Sequence, residues 1–169
     1  MRVLNYFVLA GLVWGLGSLS EVWAEPAQIS QVEQKWKKLF TPCPHDYPAL
    51  RRQLLEFENY FTAFLDQASD KEKQKIYLSS RLGSDLLRIL KPYSIPGQFR
   101  LRGIDQACGA AGVDFFSALK SDSPTKVGEE LNDWLICVEN QNRQLPPVMK
   151  KLKECVPDAL KQNEKSQKK

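Results

Sequence analysis

An unbroken stripe of apolar residues near the middle of the chain constrains the fold more than any other feature. Its members recur three and four residues apart, which places them on one face of an α-helix. Asp46 precedes the stripe and is predicted to be the N-cap, while Pro48 is tolerated in the first helical turn. A long, core-facing helix is therefore predicted over residues 46–68. The stripe consists of Tyr47, Leu50, Leu54, Phe57, Phe61, Phe64 and Ala68.

The same periodicity continues through the rest of the chain and predicts an all-α protein. The connections between predicted helices are short, about four to six residues, which favours antiparallel neighbours. We therefore predict an antiparallel bundle of about five helices preceded by a short N-terminal helix. The predicted helices cover 29–40, 46–68, 71–91, a segment from Gln98 or Gly103 to Leu119, a segment that starts at Ser123-Pro124, and a segment after Pro146-Pro147.

Two of these helices allow a prediction of which side chains are buried. Phe115 and Phe116 are adjacent, and adjacent helical residues cannot both face one core. One of the two is therefore predicted at a flank, a second interface or the wall of a pocket. In the helix over 71–91 the residues predicted to face inward are Leu78, Leu82, Leu86, Ile89 and Leu90.

The first 24 residues have the pattern of a secretory signal peptide. Arg2 supplies the basic start, an apolar run follows from Tyr6 to Leu19, and the segment ends in the small residue Ala24. The apolar run is shorter than the roughly 20 residues that a membrane span needs. We therefore predict cleavage after Ala24, secretion (or export to the periplasm if the source is bacterial), no transmembrane anchor, and one helical domain over residues 25–162.

The net charge of +4 is concentrated at the C-terminal end of the chain. Residues 148–169 contain seven lysines against three acidic residues, whereas the segment before them is balanced. Residues 163–169 are predicted to be a basic, disordered tail, and nucleic-acid binding is not expected from a secreted chain without an arginine-rich patch. The lysines could bind an anionic partner or simply form a solvated helix face. The candidate patch comprises Lys150, Lys151, Lys153, Lys161 and Lys165.

The chain contains four cysteines, which in an oxidising compartment predict two disulfides. Antiparallel packing places Cys108, Cys137 and Cys155 at one level of the bundle, so Cys137 can reach either neighbour. Two pairings remain open: Cys43–Cys155 with Cys108–Cys137, or Cys43–Cys108 with Cys137–Cys155. The first is favoured because it ties the start of the domain to its end. No Cys-x-x-Cys pair is present, so a zinc site is not expected.

The only histidine, His45, lies in the string Cys43-Pro44-His45-Asp46-Tyr47. This string resembles the Cys-x-x-His-Asp-x-Cys-Tyr helix of secreted phospholipases A2, in which histidine activates water. The string differs in its cysteine spacing, lacks the paired cysteine, and follows no glycine-rich calcium loop. An isolated base also has no identifiable partner to stabilise developing charge. We therefore interpret Asp46 as a helix cap and predict a non-catalytic protein without cofactor or metal.

Aromatic residues form the remaining candidate site. Aromatic side chains at helical spacing are usually part of the core, but they can also line a pocket or a partner surface. The first functional hypothesis is a secreted protein that binds an extracellular protein partner. The alternatives are a carrier of a small hydrophobic, lipid-like ligand and a membrane-active protein that uses its basic C-terminal helix. The candidate surface comprises Phe57, Tyr60, Phe61, Phe115, Phe116 and Trp134.

Overall fold

A computed structural model describes residues 27–95 and 108–167 of the chain. This part of the chain folds into seven α-helices and one short 3-10 helix and contains no strand, so the predicted all-α fold is confirmed. The predicted signal peptide, residues 1–24, lies outside the described residues. The α-helices are α1 Ala27–Leu39, α2 Tyr47–Gln67, α3 Asp70–Ser79, α4 Arg81–Leu90, α5 Gly109–Lys120, α6 Pro124–Asn142 and α7 Pro147–Gln167, and the 3-10 helix is Pro92–Ser94.

The helices enclose a single hydrophobic core. Helices α5 and α6 form the most extensive pair, and α7 packs against α2, α4 and α6. The largest side chains that are fully buried are Trp134, Phe61 and Phe115. Each helix contributes an apolar face to this centre, which explains why the helical periodicity of the sequence predicts the fold class.

Helix α2 forms where the stripe predicts it. The Asp46 side chain accepts a hydrogen bond from the backbone N–H of Ala49 at 2.8 Å, so its predicted role as N-cap is confirmed. The N–H groups of a first helical turn have no partner within the helix, and the carboxylate satisfies one of them. The stripe faces inward, with Tyr47, Leu50 and Leu54 at most 2% exposed.

The predicted helix over 71–91 is instead two helices, α3 and α4, which meet at Ser80. The backbone of Ser80 is extended, and its Oγ accepts a hydrogen bond from Gly83 N–H at 3.0 Å. A Cβ on Gly83 would lie 2.8 Å from the Ile76 side chain, so glycine permits the close approach of the two helices. The change in helix phase means that Leu78 is 66% exposed, and its predicted burial is wrong.

The described part of the third predicted helix is α5, which begins at Gly109 with Cys108 at its N-cap position. Residues 98–107 of that prediction lie outside the described part of the chain. Phe115 and Phe116 are 0% and 5% exposed, which agrees with a second interface, one of the three predicted places for one of them. Both are buried because α5 packs against α6 and also against α2 and α4.

Helix α7 extends further than the sequence indicated. It continues to Gln167, so residues 163–167 are helical where a disordered tail was predicted. Residues 158–167 contain no glycine or proline that would end the helix, and Lys165 in the last turn interacts favourably with the helix dipole. Residues 168–169 lie outside the described part. Pro157 is accommodated inside this helix.

Two disulfides connect the helices, and the favoured pairing is confirmed. Cys43–Cys155 joins the segment before α2 to the middle of α7, with 5.3 Å between the Cα atoms. Cys108–Cys137 joins the start of α5 to α6, with 5.7 Å between the Cα atoms. The second bond connects neighbouring antiparallel helices at one level, as the spacing indicated, whereas Cys155 reaches across to Cys43.

Candidate functional site

Most of the predicted aromatic surface lies in the core. Phe115 and Phe116 both contact Trp134, with ring centroids 5.5 and 6.4 Å apart. Phe57 stacks on Phe61 at 5.9 Å. These five side chains are at most 5% exposed, so they stabilise the bundle and do not form an open surface.

The sixth member of that set, Tyr60, is partly exposed. With Phe57 it lines a shallow groove of about 260 Å³ between α1 and α2. The ammonium group of Lys35 lies 4.5 Å from the centre of the Tyr60 ring, which is a cation–π distance. Lys38 and Glu56 border the same groove, so its charge is mixed.

The small residues at the start of α5 serve a helix contact. A Cβ on Gly112 would lie 2.9 Å from Cζ2 of Trp134, closer than two carbon atoms can pack. Glycine at this position therefore lets the Trp134 ring lie directly against the α5 backbone. This contact explains how α5 and α6 approach closely between their other buried side chains.

The predicted lysine patch on α7 is interrupted by carboxylates. Lys153 is 2.9 Å from Glu139 of α6. Lys151 pairs with Glu154 at 2.7 Å, and Lys161 lies 3.9 Å from Asp158. Lys150 and Lys165 lie on the exposed side of the same helix. The face is therefore mixed in charge, although Lys150 and Lys151 also border the two clefts described next.

An apolar groove of about 320 Å³ lies where the end of α1 meets the starts of α4 and α7. Its floor includes Trp36, which is 2% exposed and whose ring centroid lies 4.8 Å from that of Phe40 and 4.9 Å from that of Phe57. These contacts hold the floor rigid because Trp36 cannot rotate without displacing its neighbours. The groove is lined by Trp36, Lys37, Phe40, Thr41, Arg81, Leu82, Pro147 and Lys151.

A polar cleft of about 560 Å³ adjoins the apolar groove. The two share the lining residues Arg81 and Pro147, so they lie side by side. The cleft is formed by the junction of α3 and α4 on one side and by the connection between α6 and α7 on the other. Its lining residues include Leu78, Ser79, Ser84, Asp85, Arg88, Asn142, Gln144 and Lys150.

Asp85 is a buried acidic residue in the polar cleft. It is 6% exposed, and one of its carboxyl oxygens, Oδ2, has no hydrogen-bond partner. Burial raises the pKa of the Asp85 carboxyl above its ordinary value, and the positive charges of Arg88 and Arg81 partly oppose that rise. Its negative charge therefore lies beneath two arginines.

Cations outnumber carboxylates at this end of the bundle, which we name the cationic end. The carboxylates near it are Asp85, which is buried and interacts with Arg81 and Arg88, Glu154, which pairs with Lys151, and Glu33, which accepts a hydrogen bond from Ser80 Oγ. Helices α4 and α7 also begin there, and helix N-termini favour negative charge. The cationic end comprises the apolar groove, the polar cleft and the five cations Lys37, Arg81, Arg88, Lys150 and Lys151.

Sequence patterns identified only part of the cationic end. Lys150 and Lys151 were predicted as a patch for anionic partners, and the structure places both of them there. Trp36 lies in the predicted helix over 29–40, and neither it nor Arg81 was predicted to be a site residue. No local signal combines them, because the groove is formed by three segments that are distant in sequence.

The string that contains the single histidine of the chain lies at the start of α2. His45 is exposed, and the neighbouring Asp46 is engaged in capping α2. Within residues 27–95 and 108–167, no three His, Cys, Asp or Glu side chains cluster so as to hold a metal ion. In the same ranges no helix combines the length and the apolar character that crossing a bilayer requires.

No family model, curated protein or solved structure matches this chain.

Proposed function

We propose that the protein is a secreted, non-catalytic binding protein and that it engages an extracellular protein partner at its cationic end. The observation that carries this proposal is the apolar groove, whose aromatic floor is rigid and whose border is cationic. Concave apolar surface beside a few charged groups is typical of binding sites. Interface residues that contribute most to affinity are also enriched in tryptophan and arginine, as at Trp36 and Arg81.

The packing of the core favours a surface site over a carrier cavity. A carrier of a lipid-like ligand would need space among the aromatic side chains between the helices. Phe61, Phe115 and Trp134 instead contact other side chains and are at most 1% exposed. A ligand in their place would have to displace well-packed rings, which is costly.

The surface of α7 does not favour a membrane-active role. A helix that lies on a bilayer needs an exposed apolar face. The apolar residues of α7 are buried in the bundle, with Val148, Met149 and Leu152 all 0% exposed. The exposed lysines are interleaved with Glu154 and Asp158, which would be repelled by anionic lipid.

Site-specific photo-crosslinking tests the proposed function. A photoreactive phenylalanine analogue would replace Lys37 or Lys151, which belong to the cationic end. In the matched control it would replace Lys126, which lies near the start of α6, whereas the end of α6 reaches the polar cleft. In the native extracellular medium we expect discrete protein adducts from the first two positions and none from Lys126. The additional substitution Arg81→Glu should remove those adducts. Equal adducts at all three positions, or none at Lys37 and Lys151, would contradict the proposal.

A further inference from the structure

We infer that the cationic end takes a short, extended, acidic peptide segment that inserts one large apolar side chain into the apolar groove. This inference rests on the proposed function, because it names the chemistry of the protein partner at the same site. It follows from three properties of the cationic end: the size of the groove, the charges on its border, and its position beside the polar cleft.

The groove accommodates one large apolar side chain. Its volume is about 320 Å³, and it is open to solvent above a floor of Trp36 and Phe40. Leu82 of α4 and Pro147 of α7 form its sides, and Leu82 is half-buried. An aromatic ring or a leucine side chain entering here would bury its surface against these groups. Such single anchors in rigid pockets dominate many protein interfaces.

The cations on the border of the groove favour acidic residues next to the apolar side chain that enters it, which we call the anchor. Lys37 and Arg81 are exposed and border the groove from two helices, and Lys151, which already pairs with Glu154 at 2.7 Å, borders it from a third. Carboxylates next to the anchor in sequence could pair with them while the anchor stays in place. Arginine binds carboxylates with two parallel hydrogen bonds, so Arg81 would also fix the direction of the peptide.

The position of the polar cleft beside the groove favours a peptide over a fatty acid. An occupant that reaches both must be elongated and must change from apolar to polar at Arg81. A peptide does so, because polar backbone and acidic side chains follow the anchor toward Lys150. Leu78, which is 66% exposed at the edge of the cleft, offers a further apolar contact. An acyl chain would occupy the groove alone and leave the polar cleft unused.

A designed peptide provides the direct test. The probe is a fluorescein-labelled peptide with one central phenylalanine and three acidic residues on each side, titrated against the disulfide-bonded protein by anisotropy. We expect saturable binding that weakens at high salt. Replacing the phenylalanine by serine, or the acidic residues by lysines, should each weaken binding at least tenfold. Equal binding by all three peptides would overturn the inference.

Variants of the protein locate the peptide. Arg81→Glu and Leu82→Glu should each weaken binding at least tenfold, the first by charge and the second by blocking the groove. Lys126→Glu makes the same kind of charge reversal near the start of α6. This position lies about 25 Å along the helix from Asn142, which lines the polar cleft, so the variant should have no effect. Arg81 is exposed, so its variant keeps the test valid even if Leu82→Glu fails to fold. Equal weakening by Lys126→Glu would overturn the inference.

Two tryptophans provide an internal control by NMR. The indole N–H resonance of Trp36 should shift when the peptide is added, because Trp36 forms the floor of the groove. The resonance of Trp134, which is 0% exposed in the core, should not shift. Decanoate is titrated in parallel. If decanoate shifts Trp36 and the peptide does not, the groove takes an acyl chain and the inference is overturned.

The peptide inference and the proposed function can fail separately. If crosslinks form at Lys37 and Lys151 but the acidic peptide does not bind, the proposed protein partner stands and the inferred acidic segment is wrong. Loss of both the crosslinks and the peptide binding would reject the cationic end as a binding surface.

Discussion

Asp85 is a side chain at which burial and charge have opposite effects. The residue is 6% exposed, and burial raises the pKa of its carboxyl while Arg88 and Arg81 lower it. The net shift is upward, so desolvation outweighs the two arginines. Since the cleft is formed from α3, α4 and the connection before α7, this balance depends on the folded arrangement and disappears on unfolding.

The upward pKa shift predicts how Asp85 affects stability with pH. An unfolded carboxyl titrates near its ordinary value of 3.8, so the folded state binds more protons between that value and the higher folded pKa. The free energy of unfolding therefore falls as the pH rises through this interval. Asp85→Asn removes the effect, and we expect the variant to be more stable than the wild type at neutral pH.

Urea unfolding at a series of pH values measures this difference. The difference in unfolding free energy between Asp85→Asn and the wild type should shrink as the pH falls through the interval and vanish below about 3.8. Asp133→Asn makes the same chemical change at an exposed position and is the matched control. A constant difference between Asp85→Asn and the wild type at every pH would contradict the prediction.

Gly112 is a second residue whose role depends on one contact. Gly112→Ala would place a Cβ 2.9 Å from the Trp134 ring, and overpacking of this kind costs about 1–3 kcal/mol. In Gly128→Ala the nearest atom is the flexible tip of Leu160 at 3.3 Å, so the gain in helix propensity of about 1 kcal/mol can be realised. Urea unfolding should find Gly112→Ala less stable and Gly128→Ala neutral or more stable.

Among the elements, the junction of α3 and α4 depends on Ser80. Ser80→Ala removes the acceptor for Gly83 N–H and the hydrogen bond to Glu33, so a loss of about 1 kcal/mol in unfolding free energy is expected. Ser79→Ala is the matched control, because the Ser79 hydroxyl donates only to Lys75 of its own helix and is exposed. Thermal unfolding compares the two variants. Equal losses would show that the cap contributes nothing specific.

Helix α2 could be predicted from the sequence because one face of it is buried and its cap is local. The break at Ser80 could not, because apolar residues continue at helical spacing through Leu78, Leu82 and Leu86. Only the approach of α4 to α3, which Gly83 permits, decides that two helices form. Similarly, the burial of both Phe115 and Phe116 depends on α5 having neighbours on two sides, which no local pattern shows.

The candidate site was less predictable than the elements that form it. Trp36 belongs to an ordinary amphipathic stripe, and its sequence position does not show that a groove opens above it. That groove exists because α1 ends where α4 and α7 begin. Lys150 and Lys151 were predicted as part of a patch from the distribution of charge along the sequence. That distribution does not predict the apolar groove beside them.

For the whole molecule, spacing along the chain left two disulfide pairings open, and three-dimensional packing selects one of them. The loops closed by the two bonds differ greatly in length, with a sequence separation of 112 for Cys43–Cys155 and of 29 for Cys108–Cys137. In the chain-entropy description, the longer loop constrains the unfolded state more strongly.

The loop lengths predict the effect of removing each bond. Replacing Cys43 and Cys155 together by serine should lower the unfolding free energy by about 5 kcal/mol, and replacing Cys108 and Cys137 by about 3.5 kcal/mol. Urea unfolding of the two double variants without reductant gives the comparison. A larger loss from the pair that closes the shorter loop would contradict the prediction and indicate that local packing around Cys108 dominates.

The two disulfides also determine whether proteolytic cleavage separates the chain into fragments. Any single cut between residues 43 and 155 leaves one fragment with Cys43 and the other with Cys155, so the fragments stay covalently joined. A cut between Cys108 and Cys137 leaves two bonds across the break. A nicked molecule would therefore gain only the mass of the water consumed in hydrolysis and keep α1, α4 and α7 tethered around the groove. On a gel, cleavage would become visible only after reduction.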